Sequence, residues 1–250
     1  MPNGKPDTLH PLLSPIEGAG LAESVTARVR QAIRLGLIAP GQQLPSESAL
    51  AGRLGVSTVT LREALATLRE QGLVETRRGR NGGSFVIGPA TSSEAELVER
   101  LRSTSVTALR DMGDEQLAVS ATSARLAAVR ASDSNINQMR RFVDQLKQAS
   151  GRSEKARAHS RFHIEMSLAS QSERLTRAQL RLQGESGELL WVRSSEPRES
   201  GEVAAALSGI VHAITDEHAD RARAAAELLA EANTRWMIET HLEFFDRSER

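Results

Sequence analysis

The stretch from Leu44 to Ile87, LPSESALAGRLGVSTVTLREALATLREQGLVETRRGRNGGSFVI, constrains this chain more than any other. Ser46 follows Pro45 and precedes an apolar series, where its hydroxyl can accept the free amides of a helix's first turn. Leu50, Ala51 and Leu54 recur at helical spacing and make one buried face. Gly55 breaks that helix as a left-handed C-cap residue does. Ser57 is the next N-cap. Val59, Leu61, Ala64, Leu65 and Leu68 supply the apolar positions of a second helix, which Gly72 ends. Two short helices joined by a tight turn form a helix-turn-helix, whose second helix suits the major groove of DNA. Residues 73–76 and 84–87 then read as strands flanking RRGRNGG. Glycines there allow positive φ and close backbone approach, and the arginines can meet phosphates or a narrow minor groove. The stretch predicts a winged helix-turn-helix.

Charge placement agrees. The chain has 250 residues, and its formal net charge is zero. Residues 1–90 hold ten basic and seven acidic side chains, a net +3 balanced by −3 in the remainder. A modest basic face is enough for a reader that binds as two copies, since its phosphate contacts are doubled. There is no cysteine, which excludes disulfides, thiolate chemistry and Cys-based zinc sites and fits a cytoplasmic location. No apolar run is long enough for a bilayer, so no membrane partner is expected. The N-terminal stretch lacks the pattern of a signal peptide, and residues 1–18 read as a flexible arm.

The helix-turn-helix stretch resembles the DNA-binding domain of GntR-type bacterial transcription regulators. The match is carried in order by Pro45-Ser46-Glu47, Leu50-Ala51, Leu54-Gly55-Val56-Ser57, Leu61-Arg62-Glu63-Ala64-Leu65, Leu68, Gly72-Leu73-Val74 and Gly79 through Val86. It covers about residues 20–88. The resemblance implies that the helix from Thr58 to Gln71 enters the major groove. Ser57, Thr58, Thr60 and Arg62 then face base edges and phosphates, with Ser46 at the start of the preceding helix. Arg62 is the strongest single candidate, because a guanidinium bonds guanine bidentately. Arg78, Arg80 and the Gly82-Gly83 backbone are the implied wing contacts. Many relatives carry Arg where this chain has Thr58. Val59 either touches a thymine methyl or packs.

Elsewhere the breaks set the organisation. Residues 21–37 form a first helix through Val25, Val29, Ala32 and Ile33, and Gly36, Pro40 and Gly41 close it. The expected division is an arm at 1–18, a DNA-binding domain at 19–88, a small polar linker at 89–95 and an all-helical domain at 96–250. In the last part strand signals nearly vanish. Helices are expected at about 94–109, 114–131, 134–149, 153–170, 173–193, 200–216 and 218–247. The fold class is therefore mostly α, a winged helix-turn-helix followed by an all-α antiparallel helical bundle.

This second part resembles the FCD effector domain of the FadR-like branch of the same regulators. Residues 123–131, Arg161-Phe162-His163 with Leu168-Ala169-Ser170, residues 210–214, and Ala222-Arg223 carry the likeness. Many members hold a divalent metal in the bundle through an Asp and a His one turn apart plus two further His. Here the departures say more. His159 stands where the Asp belongs, four residues before His163. In gap-free register the two later ligand positions fall on Leu207 and Leu229. No pair among His159, His163, His212, His218 and His241 has the family's spacing for those two. Gln116 and Ser120 replace an early Arg and Glu of the pattern.

Two leucines bind no metal, so the usual ligand set is incomplete and no cofactor is assigned. His159 and His163 alone could give an ion two nitrogens, with His212 or a carboxylate as a third. Otherwise they are core or pocket histidines bonded to their neighbours. The residues point to an effector pocket containing His159, His163, Leu207, Leu229 and Gln116, less polar than a metal site. It would take an organic effector with an apolar part, gripped by the histidines or a nearby Arg. Trp191 and Trp236 either pack in the core or dimer interface or report on the ligand.

The resemblance implies a homodimeric regulator bound to a short inverted repeat in double-stranded DNA, usually a repressor released by a small molecule. Two alternatives stand beside it: a DNA-binding protein without an effector, and an enzyme. The sequence contains no GxSxG, P-loop or HExxH motif, and it is read as non-enzymatic.

Overall fold

Serine hydroxyls and apolar stripes decide where the helices of this chain begin and which faces they bury. The computed structural model describes residues 20–80, 82–88, 91–195 and 197–246. The chain divides into two units between Thr91 and Ser92. The expected arm at 1–18 lies outside the described residues.

The first unit contains α1 (Leu21–Arg34), α2 (Glu47–Leu54), α3 (Thr58–Glu70), β1 (Val74–Arg77) and β2 (Gly83–Val86). Ser46 accepts the Ala49 amide at 3.3 Å, and Ser57 accepts that of Thr60 at 3.0 Å. Gly55 ends α2 in the left-handed conformation at φ 68°, three residues before α3 starts. Val25, Val29 and Ile33 of α1, Leu50 and Leu54 of α2 and Leu61, Leu65 and Leu68 of α3 are each almost fully buried, and α3 packs on both α1 and α2. Full burial of each such side chain contributes about 1.5–3 kcal/mol.

The hairpin pairs Val74 with Val86 and Arg77 with Gly83, so β1 and β2 lie one residue from their expected places. A third segment joins them. Gly41 donates to Val86 O, Val86 to Gln42 O and Leu44 to Ser84 O, at 2.7, 3.0 and 2.8 Å. Gln42 and Gln43 lack the alternating apolar pattern of a strand, and so this edge was not legible.

The second unit is helical throughout: α4 (Glu94–Ser103), α5 (Val106–Arg130), α6 (Asp133–Gln148), α7 (Arg152–Ala169), α8 (Glu173–Ser186), a 3-10 turn (Leu189–Trp191), α9 (Ser200–Thr215) and α10 (Ala219–Asp246). Helix α5 runs along α10, α6 packs on α7 and α9, and α7 on α5 and α8. Phe162 and Met166 of α7, Leu207 and Ile210 of α9, and Ala226 and Leu229 of α10 belong to one buried apolar cluster.

Helix α4 begins at Glu94, where a helix is expected, and Ser93 and Glu96 cap each other reciprocally there. Two other boundaries differ from expectation. The break expected near Gly113 falls at Thr104–Ser105, because Ser105 caps α5 by accepting the Ala108 amide at 3.1 Å. Gly113 lies inside α5. A Cβ there would sit 2.3 Å from Thr234 Oγ1, so the missing side chain serves the close α5–α10 approach. The helix expected to reach 193 stops at Ser186. Leu189, Leu190 and Trp191 are consecutive and all buried, which a single helical stripe cannot achieve, and the chain turns there instead.

Candidate functional site

The amino end of α3 presents a small polar surface. Ser57, Thr58 and Val59 are exposed, Val59 by 62%, so Val59 does not pack within its own unit. Thr60 is half-buried, its Oγ1 2.9 Å from Ser57 Oγ. Arg62 points outward, and its Nε donates to Glu47 Oε2 at 2.7 Å across the turn between α2 and α3. Both partners are well solvated, so the pair is worth about 0.2–1 kcal/mol, enough to orient the guanidinium and too little to hold it from a stronger acceptor. Ser46 lies beside Glu47, exposed, its hydroxyl 3.2 Å from that of Ser48.

The hairpin tip is built by sterics. Gly82 donates its amide to Gly79 O at 2.9 Å, and Gly79 stands at φ 109°. A Cβ on Gly82 would fall 2.5 Å from the Arg77 carbonyl oxygen, so any larger residue breaks the turn. Gln43 Nε2 bonds Gly82 O at 2.9 Å and ties the tip to the third segment. The arginines divide into two sets. Arg77 is spent on structure, with Glu75 at 2.7 Å and its guanidinium 4.3 Å from the centre of the Phe85 ring. Arg69 reaches back to Thr76 Oγ1 at 3.4 Å. Arg78 and Arg80 are exposed beside the turn. Asn81, in the same basic run, lies outside the described residues.

In the helical unit the predicted pocket residues are all buried. His159 and His163 sit one turn apart on α7 with their Nε2 atoms 3.3 Å apart and their rings edge to face. Burial holds both rings toward the neutral form. The charge of Arg198 acts in the same direction on both, and His163 acts so on His159. His163 is brought down to about 4, and His159 well below its ordinary value. Neither Nδ1 has a hydrogen-bond partner among the described residues.

These residues do not fit a metal site. Leu207 and Leu229 lie in the apolar cluster and offer no donor atom, and His212 is exposed on α9. His241 turns its Nδ1 to the Leu101 carbonyl at 2.8 Å. Among the described residues no three His, Cys, Asp or Glu side chains are grouped to hold an ion. Two imidazole nitrogens are left, short of the three or four protein ligands a zinc site uses.

Gln116 belongs to a separate neutral network. Its Nε2 donates to Ser120 Oγ at 2.5 Å, and its Oε1 accepts from Gln183 at 3.2 Å and Gln179 at 3.4 Å, bridging α5 to α8.

Of two further residues in the pocket region, the sequence left Trp191 open between packing and reporting on a ligand, and Arg198 escaped sequence reasoning. Trp191, in the 3-10 turn, lies 5.9 Å from the His159 ring. Arg198, in the loop before α9, is largely buried, and burial brings its guanidinium down to about 10 against the opposing pull of Glu202. It bonds Asn233 and sits 5.9 Å from both the Trp191 and Trp236 rings. An arginine in a loop has no periodicity to mark it. Only the fold brings it to the histidines.

Known proteins carry the same two parts. The family model described as bacterial regulatory proteins, gntR family, matches residues 21–86, and that of the FCD domain matches residues 114–232. A Mycobacterium gastri protein named as an HTH-type transcriptional regulator, RmpR, is 39% identical over 204 residues, covering 81% of this chain and 74% of its own length. The Glc operon transcriptional activator of Escherichia coli is 30% identical over 159 residues, 61% of this chain and 62% of that protein. Among solved structures, E. coli McbR/YncC aligns with TM-score 0.51 at 15% identity, over 89% of this chain and 99% of that one, a likeness of fold. These domains and relatives are regulators, not enzymes. The chain belongs to the GntR family of bacterial transcription regulators, with a winged-helix DNA-binding domain and an FCD effector-binding domain.

Proposed function

We propose that this regulator binds a short inverted repeat as a homodimer in the cytoplasm, and that a small molecule held in its FCD domain relieves repression. The domains divide close to where the sequence indicates, with DNA reading in 19–88, a linker that ends where α4 begins at Glu94, and effector binding and dimerisation in the helical domain that follows. In each half-site the amino end of α3 enters the major groove, where Thr58, Thr60 and Arg62 meet bases and Ser46 and Ser57 meet phosphates. Arg78, Arg80 and the Gly82 backbone track the neighbouring strand. The observation that carries this reading is the exposed Arg62 guanidinium, oriented by Glu47 and bonded to it only weakly.

The effector is an organic molecule with an apolar part, held near His159, His163 and Arg198, with Leu207, Leu229 and Gln116 in the surrounding wall. The neutral, partnerless imidazole nitrogens support this, since each is free to bond a ligand. The effector changes affinity for DNA by binding one arrangement of the two DNA-binding domains better than the other.

The test is Arg62→Ala. DNA fragments selected from a random pool by the native protein should bind the variant at least tenfold more weakly, as the loss of about 1–3 kcal/mol per half-site requires. The thermal melt should be unchanged, because Arg62 lies outside the core. Equal affinity for the selected fragments refutes the assignment of α3.

A further inference from the structure

We propose that Val59 reads the C5 methyl group of a thymine in each half-site, one or two base pairs from the guanine that Arg62 bonds. This deepens the reading of α3 given above and rests on it.

Val59 points away from the core of its own unit. Leu61, Ala64, Leu65 and Leu68 make the buried stripe of α3. At 3.6 residues per turn, Val59 projects roughly 170° from the centre of that stripe. It is 62% exposed, so its isopropyl group takes no part in the core. A single apolar side chain on an ordinary surface needs no partner. Val59 stands instead among the groups placed for DNA, with Thr58 exposed beside it and the exposed Arg62 about one turn away.

Its position is set in advance. Ser57 Oγ accepts the Thr60 amide at 3.0 Å and lies 2.9 Å from Thr60 Oγ1, so the turn that carries Val59 is fixed by its own cap. A valine in a helix strongly prefers one χ1 rotamer, which places its methyl groups before any partner arrives. Little side-chain freedom is left to lose on contact. Arg62 is likewise oriented, by Glu47.

Groove chemistry decides what such a group can read. In the major groove thymine alone among the four bases presents a methyl group, and the remaining edges present hydrogen-bond donors and acceptors. A side chain without a polar atom gains by covering that methyl. Against cytosine it would shield an N4 amine and offer it no acceptor. Side chains three residues apart on a helix lie about 5–6 Å from each other. Bases along one strand are spaced by about 3.4 Å. The thymine therefore stands one or two base pairs from the guanine. Arg62 chooses the guanine by charge and hydrogen bonds, and Val59 chooses its neighbour by shape and apolar contact.

The experiment uses the full chain and the inverted repeat that the native protein selects from a random pool, at one fixed salt concentration. Each thymine is replaced in turn by uracil, in both half-sites at once. Uracil keeps the hydrogen bonds of thymine and lacks only the methyl. One thymine per half-site, one or two base pairs from a guanine, should be sensitive. Its replacement should weaken binding by about fourfold per half-site, or about fifteenfold for the repeat. Val59→Ala should bind the thymine and uracil repeats alike, to within about twofold. This variant should melt no lower than the native protein, because alanine favours an exposed helical position over valine. If no thymine is sensitive, or if the uracil loss is as large in Val59→Ala, the proposal is overturned. Arg62→Ala then separates the two readings. If it still weakens the selected repeat by about tenfold or more, α3 keeps its place in the groove and only the role of Val59 falls. If it binds like the native protein, the placement of α3 falls as well.

Discussion

Two buried imidazoles that face each other Nε2 to Nε2 at 3.3 Å cannot both carry a proton on that nitrogen. One donates and the other accepts, and both stay neutral in the folded protein. In the unfolded chain each has a value near 6.5. His163 folded is near 4, so between these values the unfolded state binds a proton that the native state refuses. Stability therefore falls as pH drops through that window, and levels off for this group below it. By pH 5 the native protein should lose about 2 kcal/mol more than a His163→Gln variant, each measured relative to pH 7 by urea unfolding. Parallel pH profiles would show that the ring is not held neutral. The one-turn spacing of this pair was legible in the sequence. Arg198 was not, because its approach to the histidines depends on a loop.

Helix starts carry a clear local signal, although the break at Thr104–Ser105 and the end of α8 fell away from their expected places. Serines at 46, 57, 93, 105, 132 and 172 each accept an amide of the first turn that follows. A hydroxyl before an apolar series is a local signal, and it survives folding. A glycine inside a helix is ambiguous, since it marks either an end or a close crossing. Gly113 lies beside the break expected between 109 and 114 and proves to be a crossing, where Thr234 of α10 occupies the space of a Cβ. Helix propensity alone predicts that Gly113→Ala stabilises α5 by about 1 kcal/mol. Overpacking at 2.3 Å from Thr234 Oγ1 should outweigh this and destabilise the protein by about 1–3 kcal/mol. Adding Thr234→Ala should recover most of the loss, a coupling that a double-mutant cycle in urea would measure. Additive effects would mean that the two helices do not meet through this pair.

At the scale of the whole molecule, a chain of zero formal charge has no general field to draw it onto DNA. Its affinity must come from placed groups, and the wing offers two. Arg78 and Arg80 are exposed beside a turn whose shape Gly79 and Gly82 dictate, whereas Arg77 and Arg69 are bonded within their own unit. Each phosphate contact releases condensed counterions and steepens the fall of affinity with salt by about 0.9 in a log–log plot. A homodimer with both wings seated makes twice the contacts of one subunit. Arg78→Gln with Arg80→Gln should therefore flatten the salt slope by about 3 to 4 on the selected inverted repeat. Discrimination between that repeat and random DNA should change little, because phosphate contacts carry no base identity. Arg62→Ala should do the reverse, removing discrimination while leaving most of the slope. A double variant with an unchanged slope would exclude the wing from the phosphates. A change of half the stated size would mean that only one wing of the dimer is seated at a time.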